Sequence, residues 1–344
     1  MTDIKSMISA ELRTEFKEHE LPAYRADQLF RWLQQGITDF DEMTNLPKIL
    51  RAFLAAEYRI PKVEIARKYA SELDETVKYL YRLSDGEYVE AVLMKYHHGY
   101  SICISTQVGC KMGCDFCATG KAGFVRDLQP SEMLGQIQTA AADKAVRISN
   151  VVMMGMGEPL DNYENVLRFL ELAGQEEGLH IGMRHISLST CGIVDKIYDL
   201  ADKKLQLTLS VSLHAPNDEI RQRTMPVAKR WSMDELLKAC KYYSGKTNRR
   251  ISFEYAMISG VNDSDACARE LVKRLRGIMA HINLIPVNEI KETGYIRSTK
   301  KRLDSFAAIA EAAGFTATVR RTLGTDIDAS CGQLRQKQKE GAKP

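Results

Sequence analysis

From Tyr100 onward the sequence alternates between short strand-like runs and longer helix-like runs. The strand-like runs are SICIST, ISNVVMMG, RHISLST, LQLTLSVSLH, ISFEYAMI, HINLIPV and TATVRRT. Helical patterns such as SEMLGQIQTAAA, YENVLRFLELAG and MDELLKACKYYSG lie between them. This repetition predicts an α/β fold with parallel strands covered by helices, either a doubly wound sheet or a full or partial barrel. In such folds functional residues are expected where the strands end.

The chain before this repeat has a different pattern. Apolar residues at helical spacing in ADQLFRWL and KILRAFLA predict a small helical module over residues 1–60. From Val77 the pattern changes to period two, and Asp85-Gly86 between VKYLYRL and VEAVLM predicts a β-hairpin within residues 61–98. We expect a core domain over residues 99–334 and a disordered basic tail over residues 335–344, whose sequence RQKQKEGAKP offers no large apolar side chain.

Length and composition set the broad class of protein. With 344 residues and 44% apolar content, the chain can bury one large core and a small accessory domain. There is no run of eighteen apolar residues, and Met1 to Glu20 lacks the apolar stretch of a signal peptide. We therefore expect a cytoplasmic protein without a membrane partner.

The cysteines are clustered rather than evenly spread. Cys103, Cys110, Cys114 and Cys117 fall within fifteen residues, and the last three have the spacing C-x3-C-x2-C directly after a strand. Three thiolates on one loop can hold three irons of a 4Fe-4S cluster and leave the fourth iron open to an exchangeable ligand. Structural zinc is the alternative, with Cys103 as a fourth ligand.

Polar residues follow several of the predicted strands. They are Gly157 and Glu158 in GMGEP, Ser189 in LSTCG, Ser212, Leu213 and His214 in SVSLHAP, and Asn288 in IPVN. Glycines let a backbone approach a ligand closely, and a carboxylate beside them can accept from an ammonium group. Strand ends of a barrel meet at one mouth, which favours a shared binding site. Taken alone, the GMGEP segment fits a simple turn as well as a binding loop. His214 fits a buried side chain with internal hydrogen bonds as well as a ligand contact.

The charge pattern adds a possible surface for a polyanion. The net charge is only +3, but Arg221 to Arg250 contains nine Lys or Arg against two acids. A basic stretch of this kind fits nucleic acid, and it fits a solvated helix face equally well.

Several long motifs resemble one known family. They include YRADQLFRWL, CISTQVGCKMGCDFCATG, MGMGEPLDNYENV, SLSVSLHAPNDEIR, FEYAMISGVND, HINLIPVN and GTDIDASCGQL, and they span nearly the whole chain. The chain is identified as similar to the radical S-adenosylmethionine (SAM) RNA methyltransferases RlmN and Cfr. Pro159 and the STCG and IPVN segments are most similar to the RlmN branch.

The resemblance implies a fold, cofactors and partners. The fold would be a partial (β/α)6 barrel with an N-terminal helical accessory domain and a β-hairpin extension. The cofactors would be one 4Fe-4S cluster and SAM. The substrates would be adenines in 23S rRNA and in tRNA, and an electron donor such as flavodoxin or ferredoxin with its reductase would serve the cluster.

The resemblance also implies roles for individual residues. Cys110, Cys114 and Cys117 would hold the cluster, and SAM would be contacted by Gly157, Glu158, Ser189, Ser212, Leu213, His214 and Asn288. Cys331 would carry a methyl group, and Cys103 would release the product by forming a disulfide with Cys331. Glu90 matches a proton acceptor, although Cys103 is an equal candidate for that base.

The implied reaction is methylation of adenine carbon 2. A ring C–H carbon of adenine is electrophilic, so it cannot attack the methyl group of SAM as an amine would, and a radical route is needed. Three alternatives stay open at this point. They are methylation at carbon 8 as in Cfr, a radical SAM enzyme acting on a small molecule, and a zinc-stabilised RNA-binding module.

Overall fold

The structure is a computed structural model that describes residues 1–288, 294–321 and 323–327. It begins with a helical module. The elements of this module are β1 (Thr2–Asp3), α1 (Ser9–Glu18), α2 (Ala23–Gln34), α3 (Lys48–Glu57) and β2 (Tyr58–Arg59). The predicted amphipathic faces are confirmed, since Leu29, Phe30, Leu33 and Leu54 are buried in a cluster that is separate from the main core. The module therefore packs around its own apolar centre.

Four strands follow the helical module. They are β3 (Val63–Ala70), β4 (Val77–Leu83), β5 (Tyr88–Tyr96) and β6 (Gly99–Cys103). The predicted hairpin is confirmed: β4 and β5 pair antiparallel, and Gly86 takes φ +86° in the turn between them. The sequence did not predict β3, because six of its eight residues are exposed and its side chains do not alternate between buried and exposed.

The remaining chain alternates strands and helices as predicted. Its strands are β7 (Gln107–Gly109), β8 (Phe124–Asp127), β9 (Ile148–Met153), β10 (Ile186–Thr190), β11 (Thr208–Ser212), β12 (Ile251–Met257), β13 (Ala280–Pro286) and β14 (Thr316–Val319). Its helices are α4 (Ala118–Lys121), α5 (Pro130–Lys144), α6 (Tyr163–Gly174), α7 (Val194–Asp202), α8 (Asp218–Thr224), α9 (Met233–Thr247), α10 (Asp265–Arg274) and α11 (Lys300–Ala312). The short β7 and β8 were not predicted, and they form a separate antiparallel pair.

One sheet of ten strands organises the molecule, in the order β14-β13-β12-β11-β10-β9-β6-β5-β4-β3. Strands β6 and β9–β14 pair in parallel, and β3–β6 form the antiparallel extension. The strand order follows the chain without the reversal of a doubly wound sheet. β14 and β3 are the two edges, so the sheet does not close. This is the partial α/β barrel that the resemblance implies.

The two faces of the parallel strands differ in chemistry. On the outer face, Ile102, Val151, Leu188, Val211 and Phe253 belong to the large core cluster. Alternate residues point to the other face because strand side chains alternate. That inner face carries Ser189, Ser210, Ser212 and Glu254 at the matching positions. A polar inner face departs from the branched apolar layers that fill an ordinary closed barrel, and it leaves room for ligands.

Candidate active site

The three clustered cysteines lie on the loop between β7 and α4. The backbone N–H of Cys110 donates to the Gly123 carbonyl at 2.8 Å, and that of Cys117 donates to the Cys114 carbonyl at 3.1 Å. Gly109 takes φ +80°, and a Cβ there would lie 1.9 Å from the Gly123 carbonyl oxygen. Only glycine fits this close approach, which fixes the start of the cysteine loop.

One cavity of about 270 Å³, hereafter the cysteine cavity, brings most of the predicted site residues together. It is lined by Cys110, Cys114, Cys117, Gly157, Glu158, Ser189, Ser212, His214 and Asn288. Leu213 does not line it: its side chain is fully buried, and its backbone N–H donates to the Glu254 carbonyl. The strand ends therefore converge on one mouth, as the sequence predicted.

The three thiols suit a cluster of cationic irons. Burial raises the pKa of Cys110 to about 12, and it raises the pKa of Cys114 well above that of an exposed thiol. The neighbouring cysteines raise the pKa of Cys114 further, because adjacent thiolates repel one another. Bound metal ions favour the deprotonated thiolates, and this offsets the free-energy cost of burying several negative charges together. Together Cys110, Cys114 and Cys117 fit a 4Fe-4S cluster, in which each thiolate binds a different iron.

A site for one metal ion is not formed by the same residues. In the described parts of the chain, no group of three or more His, Cys, Asp or Glu side chains comes together closely enough for a single ion. Cys103 does not line the cysteine cavity; it packs with Val92, Met94 and Met154. The described residues therefore give no support to a tetrahedral zinc site that uses Cys103.

Glu158 is a buried carboxylate at the end of β9. One oxygen accepts from the Cys191 N–H at 2.7 Å, and the other accepts from the Leu160 N–H at 3.0 Å. Burial raises the pKa of Glu158, and these hydrogen bonds oppose that rise. The side chains of Thr190 and Cys191 also hydrogen-bond to Glu158. A carboxylate has about four acceptor positions, so an ammonium donor would take the place of one of these two side-chain donors.

Gly157 brings the backbone beside Glu158 against β7. It takes φ +103°, and a Cβ there would meet the Gln107 side chain at 2.6 Å and its backbone nitrogen at 2.7 Å. Gln107 in turn accepts the Glu158 N–H at 2.9 Å. The GMGEP segment is thus a close backbone contact at the cavity wall.

His214 is held as a neutral imidazole. Its Nδ1 accepts from the Ala256 N–H at 2.8 Å, which places the ring hydrogen on Nε2. Burial, with a smaller contribution from Arg221, lowers the pKa of His214 to about 3. The ring packs edge-to-face on Phe116, with centroids 4.9 Å apart. His214 is therefore a neutral hydrogen-bond donor at the cavity.

Cys103 and Glu90 lie on neighbouring strands of the sheet. Cys103 pairs with Val92, and Glu90 stands two residues earlier on β5, so their side chains share a face. Both residues are buried. Lys78, also buried, has its Nζ 3.9 Å from a Glu90 carboxylate oxygen. The methyl-carrier candidate Cys331 lies outside the described residues.

Arg221 was not predicted as part of the site. Its side chain is fully buried, and its guanidinium donates to the carbonyls of Cys191 at 2.5 Å, Leu213 at 3.3 Å and Ser212 at 3.4 Å. The Arg221 side chain therefore ties the ends of β10 and β11 together. At the end of α8, the Thr224 carbonyl accepts the Asp115 N–H of the cysteine loop at 2.9 Å. In the sequence, Arg221 is recognisable only as one charge of a basic stretch.

The chain is similar to known proteins over nearly its whole length. The profile of the Radical SAM superfamily matches residues 104–271, and that of the ribosomal RNA large subunit methyltransferase N-terminal domain matches residues 2–60. A probable dual-specificity RNA methyltransferase RlmN from Lachnospira eligens is 52% identical over 99% of this chain and 97% of the relative. A protein of the same name from Clostridium botulinum strain Eklund 17B is 52% identical over 98% of this chain and 97% of the relative.

The chain belongs to the RlmN family.

Solved structures agree with membership of the RlmN family. The crystal structure of a radical SAM methyltransferase from Sphaerobacter thermophilus is 43% identical, with a TM-score of 0.92 over 97% of this chain and 99% of that chain. This confirms the radical SAM α/β fold. No helix in the described part of the chain is both long and apolar enough to cross a membrane.

Proposed function

We propose that this RlmN-family enzyme methylates carbon 2 of adenine, in 23S rRNA and at the adenine 3′ of the anticodon in tRNA. The observation that carries the proposal is the cysteine cavity, where Cys110, Cys114 and Cys117 meet the predicted SAM-binding residues. The relatives that share about half of the sequence are named as dual-specificity RNA methyltransferases. RNA as the substrate class, rather than a small molecule, follows from that likeness.

The cysteine cavity offers matched partners for each part of SAM. When bound, the 4Fe-4S cluster supplies the electron that cleaves SAM and so provides the radical chemistry. Glu158 accepts from the SAM ammonium group, and the Gly157 backbone lets the ligand lie close to β9. The neutral Nε2–H of His214 and the hydroxyls of Ser189 and Ser212 donate to the ligand's oxygens.

Two further cysteines complete the proposed reaction. Cys331 would carry the transferred carbon as an S-methyl thioether. A 5′-deoxyadenosyl radical derived from SAM would remove one hydrogen atom from that methyl group, and the remaining methylene carbon would bond to adenine carbon 2 and bridge the protein and the RNA. The Cys103 thiolate would attack the Cys331 sulfur and form a disulfide, while the bond between that sulfur and the bridging carbon breaks. The released carbon would take up a proton and so become the methyl group of the RNA. Glu90 or Cys103 takes the ring proton, since both are buried on one face of the sheet.

We also propose the division of labour along the chain. Residues 1–60 form an accessory RNA-binding domain, residues 61–98 link it to the core over residues 99–334, and residues 335–344 form the tail. An RNA substrate and an electron donor of the flavodoxin or ferredoxin type would place the enzyme in the cytoplasm.

The test is product analysis with the anaerobically reconstituted enzyme, SAM, a reductant, and either tRNA or a 23S rRNA fragment. We expect 2-methyladenosine from both RNAs, and Cys103→Ala should accumulate protein joined to RNA. Cys267→Ala is the matched control, because Cys267 is a half-buried cysteine on α10. Only 8-methyladenosine would identify Cfr chemistry, and full activity of Cys331→Ala would exclude the methyl-carrier role.

A further inference from the structure

The turn between β3 and β4 holds a segment that is distant in the sequence. This turn, residues 71–76 and hereafter the β3–β4 turn, forms three hydrogen bonds with residues 323–327, hereafter the anchor segment. One of these bonds joins residues 250 positions apart. The anchor segment follows β14 and comes directly before the part of the sequence that contains Cys331, the proposed methyl carrier. Its contacts therefore bear on how that cysteine reaches its partners.

The carboxylate of Asp326 makes two of the three hydrogen bonds. One oxygen accepts from the Ser71 hydroxyl at 2.6 Å, and the other accepts from the Glu72 N–H at 2.7 Å. The Ser71 hydroxyl, followed by the Glu72 N–H, lowers the pKa of Asp326. Hydrogen bonds to an ionised carboxylate are shorter and stronger than those between neutral groups. Asp326 is therefore the main point at which the anchor segment is held.

Asp74 makes the third hydrogen bond, from the opposite partner. One of its oxygens accepts from the Gly324 N–H at 3.0 Å, and the other accepts from the Thr76 N–H at 2.8 Å within the β3–β4 turn. Ser71 also shapes this turn, because its hydroxyl oxygen accepts from the Asp74 N–H at 3.2 Å. The β3–β4 turn thus holds its own conformation while it binds the anchor segment.

The anchor segment is itself a compact unit. Thr325–Ile327 form a single turn of 3₁₀ helix, and the Ile327 N–H donates to the Gly324 carbonyl at 3.2 Å. Gly324 takes φ +59°, a conformation that favours glycine. The donor of Gly324 and the carboxylate of Asp326 are therefore presented to the β3–β4 turn together.

The anchor segment begins beside Cys103. Leu323 packs against the buried apolar cluster to which Cys103 belongs. Asp326 follows Leu323 by three residues, and Cys331 follows Asp326 by five. Five residues of chain span at most about 18 Å. Holding Asp326 therefore keeps Cys331 within that distance of a point close to Cys103.

Loss of the anchor would roughly double the tether of Cys331. Before the anchor segment the chain is held at Arg320, whose N–H donates to the Leu284 carbonyl at 2.9 Å. Eleven residues lead from Arg320 to Cys331, against five from Asp326. Because the effective concentration of a tethered group falls as about the −3/2 power of tether length, this change would lower it about threefold.

We propose that the β3–β4 turn positions the methyl carrier, by holding the anchor segment so that Cys331 stays on a short tether beside Cys103. Ser71 and Asp74 are positioning residues for the step in which the Cys103 sulfur attacks the Cys331 sulfur. The inference rests on the proposed function, because that function assigns the two cysteines their roles. A contact that only stabilised the fold would leave the equilibrium between these two cysteines unchanged.

Exchange with glutathione measures this tether. The thiols of Cys103 and Cys331 form their disulfide by reducing one oxidised glutathione to two reduced molecules, so the equilibrium constant reports their effective concentration. The full chain with its reconstituted cluster is equilibrated anaerobically in glutathione buffers, quenched with acid and mapped by peptide mass spectrometry. Asp326→Ala should lower the constant about threefold, which raises the reduction potential of the pair by about 14 mV.

Two further variants define the contact. Asp304→Ala is the matched control, because Asp304 is an exposed aspartate on α11, and it should leave the constant as in wild type. Ser71→Ala should lower the constant by no more than Asp326→Ala does, and the double variant should equal Asp326→Ala, since both changes remove the same contact. Effects that multiply in the double variant would show that Ser71 and Asp326 act independently, which would overturn the proposal.

Decay of the covalent adduct between protein and RNA supplies a second measurement. With tRNA in a single turnover, this adduct should decay about threefold more slowly in Asp326→Ala, while SAM affinity stays within about twofold of wild type. An unchanged disulfide equilibrium together with unchanged decay in Asp326→Ala would overturn the proposal. A wild-type enzyme that cleaves SAM but methylates neither RNA would instead refute the proposed function itself.

Discussion

The carboxylate of Glu158 accepts a hydrogen bond from the backbone N–H of Cys191 at 2.7 Å, which joins the ends of β9 and β10 at the cysteine cavity. Its other oxygen accepts the Leu160 N–H at 3.0 Å. The same side chain that is proposed to receive the SAM ammonium group is therefore held rigidly by two backbone donors.

Glu158→Gln places an NH₂ group against one of these two N–H donors, which leaves a buried donor unpaired. We expect SAM affinity to fall at least about tenfold and the free energy of unfolding to fall by about 1–3 kcal/mol. Calorimetric titration with SAM and urea unfolding measure the two effects. Glu164→Gln, on the exposed side of α6, is the control. Wild-type SAM affinity in Glu158→Gln would refute the assignment.

Gly157→Ala combines an unfavourable backbone angle with a clash. Alanine at φ +103° is strained, and its Cβ would lie 2.6–2.7 Å from Gln107. Gly260→Ala separates the two effects, because Gly260 also has a positive φ (+71°) but no atom within 4 Å of the added Cβ. We expect the control to lose only about 1 kcal/mol of stability, and Gly157→Ala to lose more and to bind SAM poorly. Equal behaviour of the two variants would contradict this account.

His214 predicts a pH dependence of stability. The folded protein keeps the imidazole neutral down to a pKa of about 3, whereas an unfolded chain protonates it below about 6.5. Stability from His214 is thus present above pH 6.5 and is lost as pH falls toward 3. His214→Asn keeps a side-chain acceptor for the Ala256 N–H and removes the titration. Between pH 7 and pH 5, wild type should lose about 2 kcal/mol more than this variant.

Urea unfolding at pH 7 and pH 5 measures the difference in stability between wild type and His214→Asn. The apoprotein is used because an iron-sulfur cluster is itself sensitive to acid. His97→Asn is the control, since His97 is exposed and its loss should leave the pH dependence as in wild type. Parallel pH curves for wild type and His214→Asn would contradict the account, because they would show that His214 takes up a proton over this pH range in the folded protein as it does in the unfolded chain.

Arg221→Met removes a buried guanidinium that three carbonyl oxygens share. We expect a loss of about 2–4 kcal/mol in unfolding free energy, because hydrogen bonds to a charged group are lost together. Less iron should be retained per chain, since α8 also anchors the cysteine loop through Thr224 and Asp115. Arg223→Met changes an exposed arginine of the same helix and should affect neither quantity. If Arg221→Met retains as much iron per chain as wild type, α8 does not hold the cysteine loop in place.

Much of the fold and site could be predicted from the sequence because the deciding signals are local. Cysteine spacing identifies the loop whatever its surroundings, and alternation of strand and helix patterns predicts parallel strands whose ends converge. For this reason Gly157, Glu158 and His214 could be predicted to lie near strand ends, and the structure places them on the wall of the cysteine cavity.

Other features depend on packing that no local pattern reports. Arg221 belongs to a basic stretch, and only the structure shows that its side chain is fully buried while Arg223 stays exposed. Leu213 lies between two cavity residues, yet strand alternation turns its side chain into the core. Glu254 is the acid within the apolar run ISFEYAM, and its partner Ser252 lies two residues earlier on the same strand. Its second partner, Asn283, is set by the register between β12 and β13, which the sequence does not report.

The most direct test of the central claim is mass-spectrometric analysis of nucleosides from tRNA treated with the reconstituted enzyme and SAM. We predict 2-methyladenosine with the wild type and none with Cys114→Ala, which lacks one of the three cluster thiolates. A wild-type protein that binds iron and sulfide but forms no methylated adenosine, or a Cys114→Ala variant that still forms it, would contradict the account.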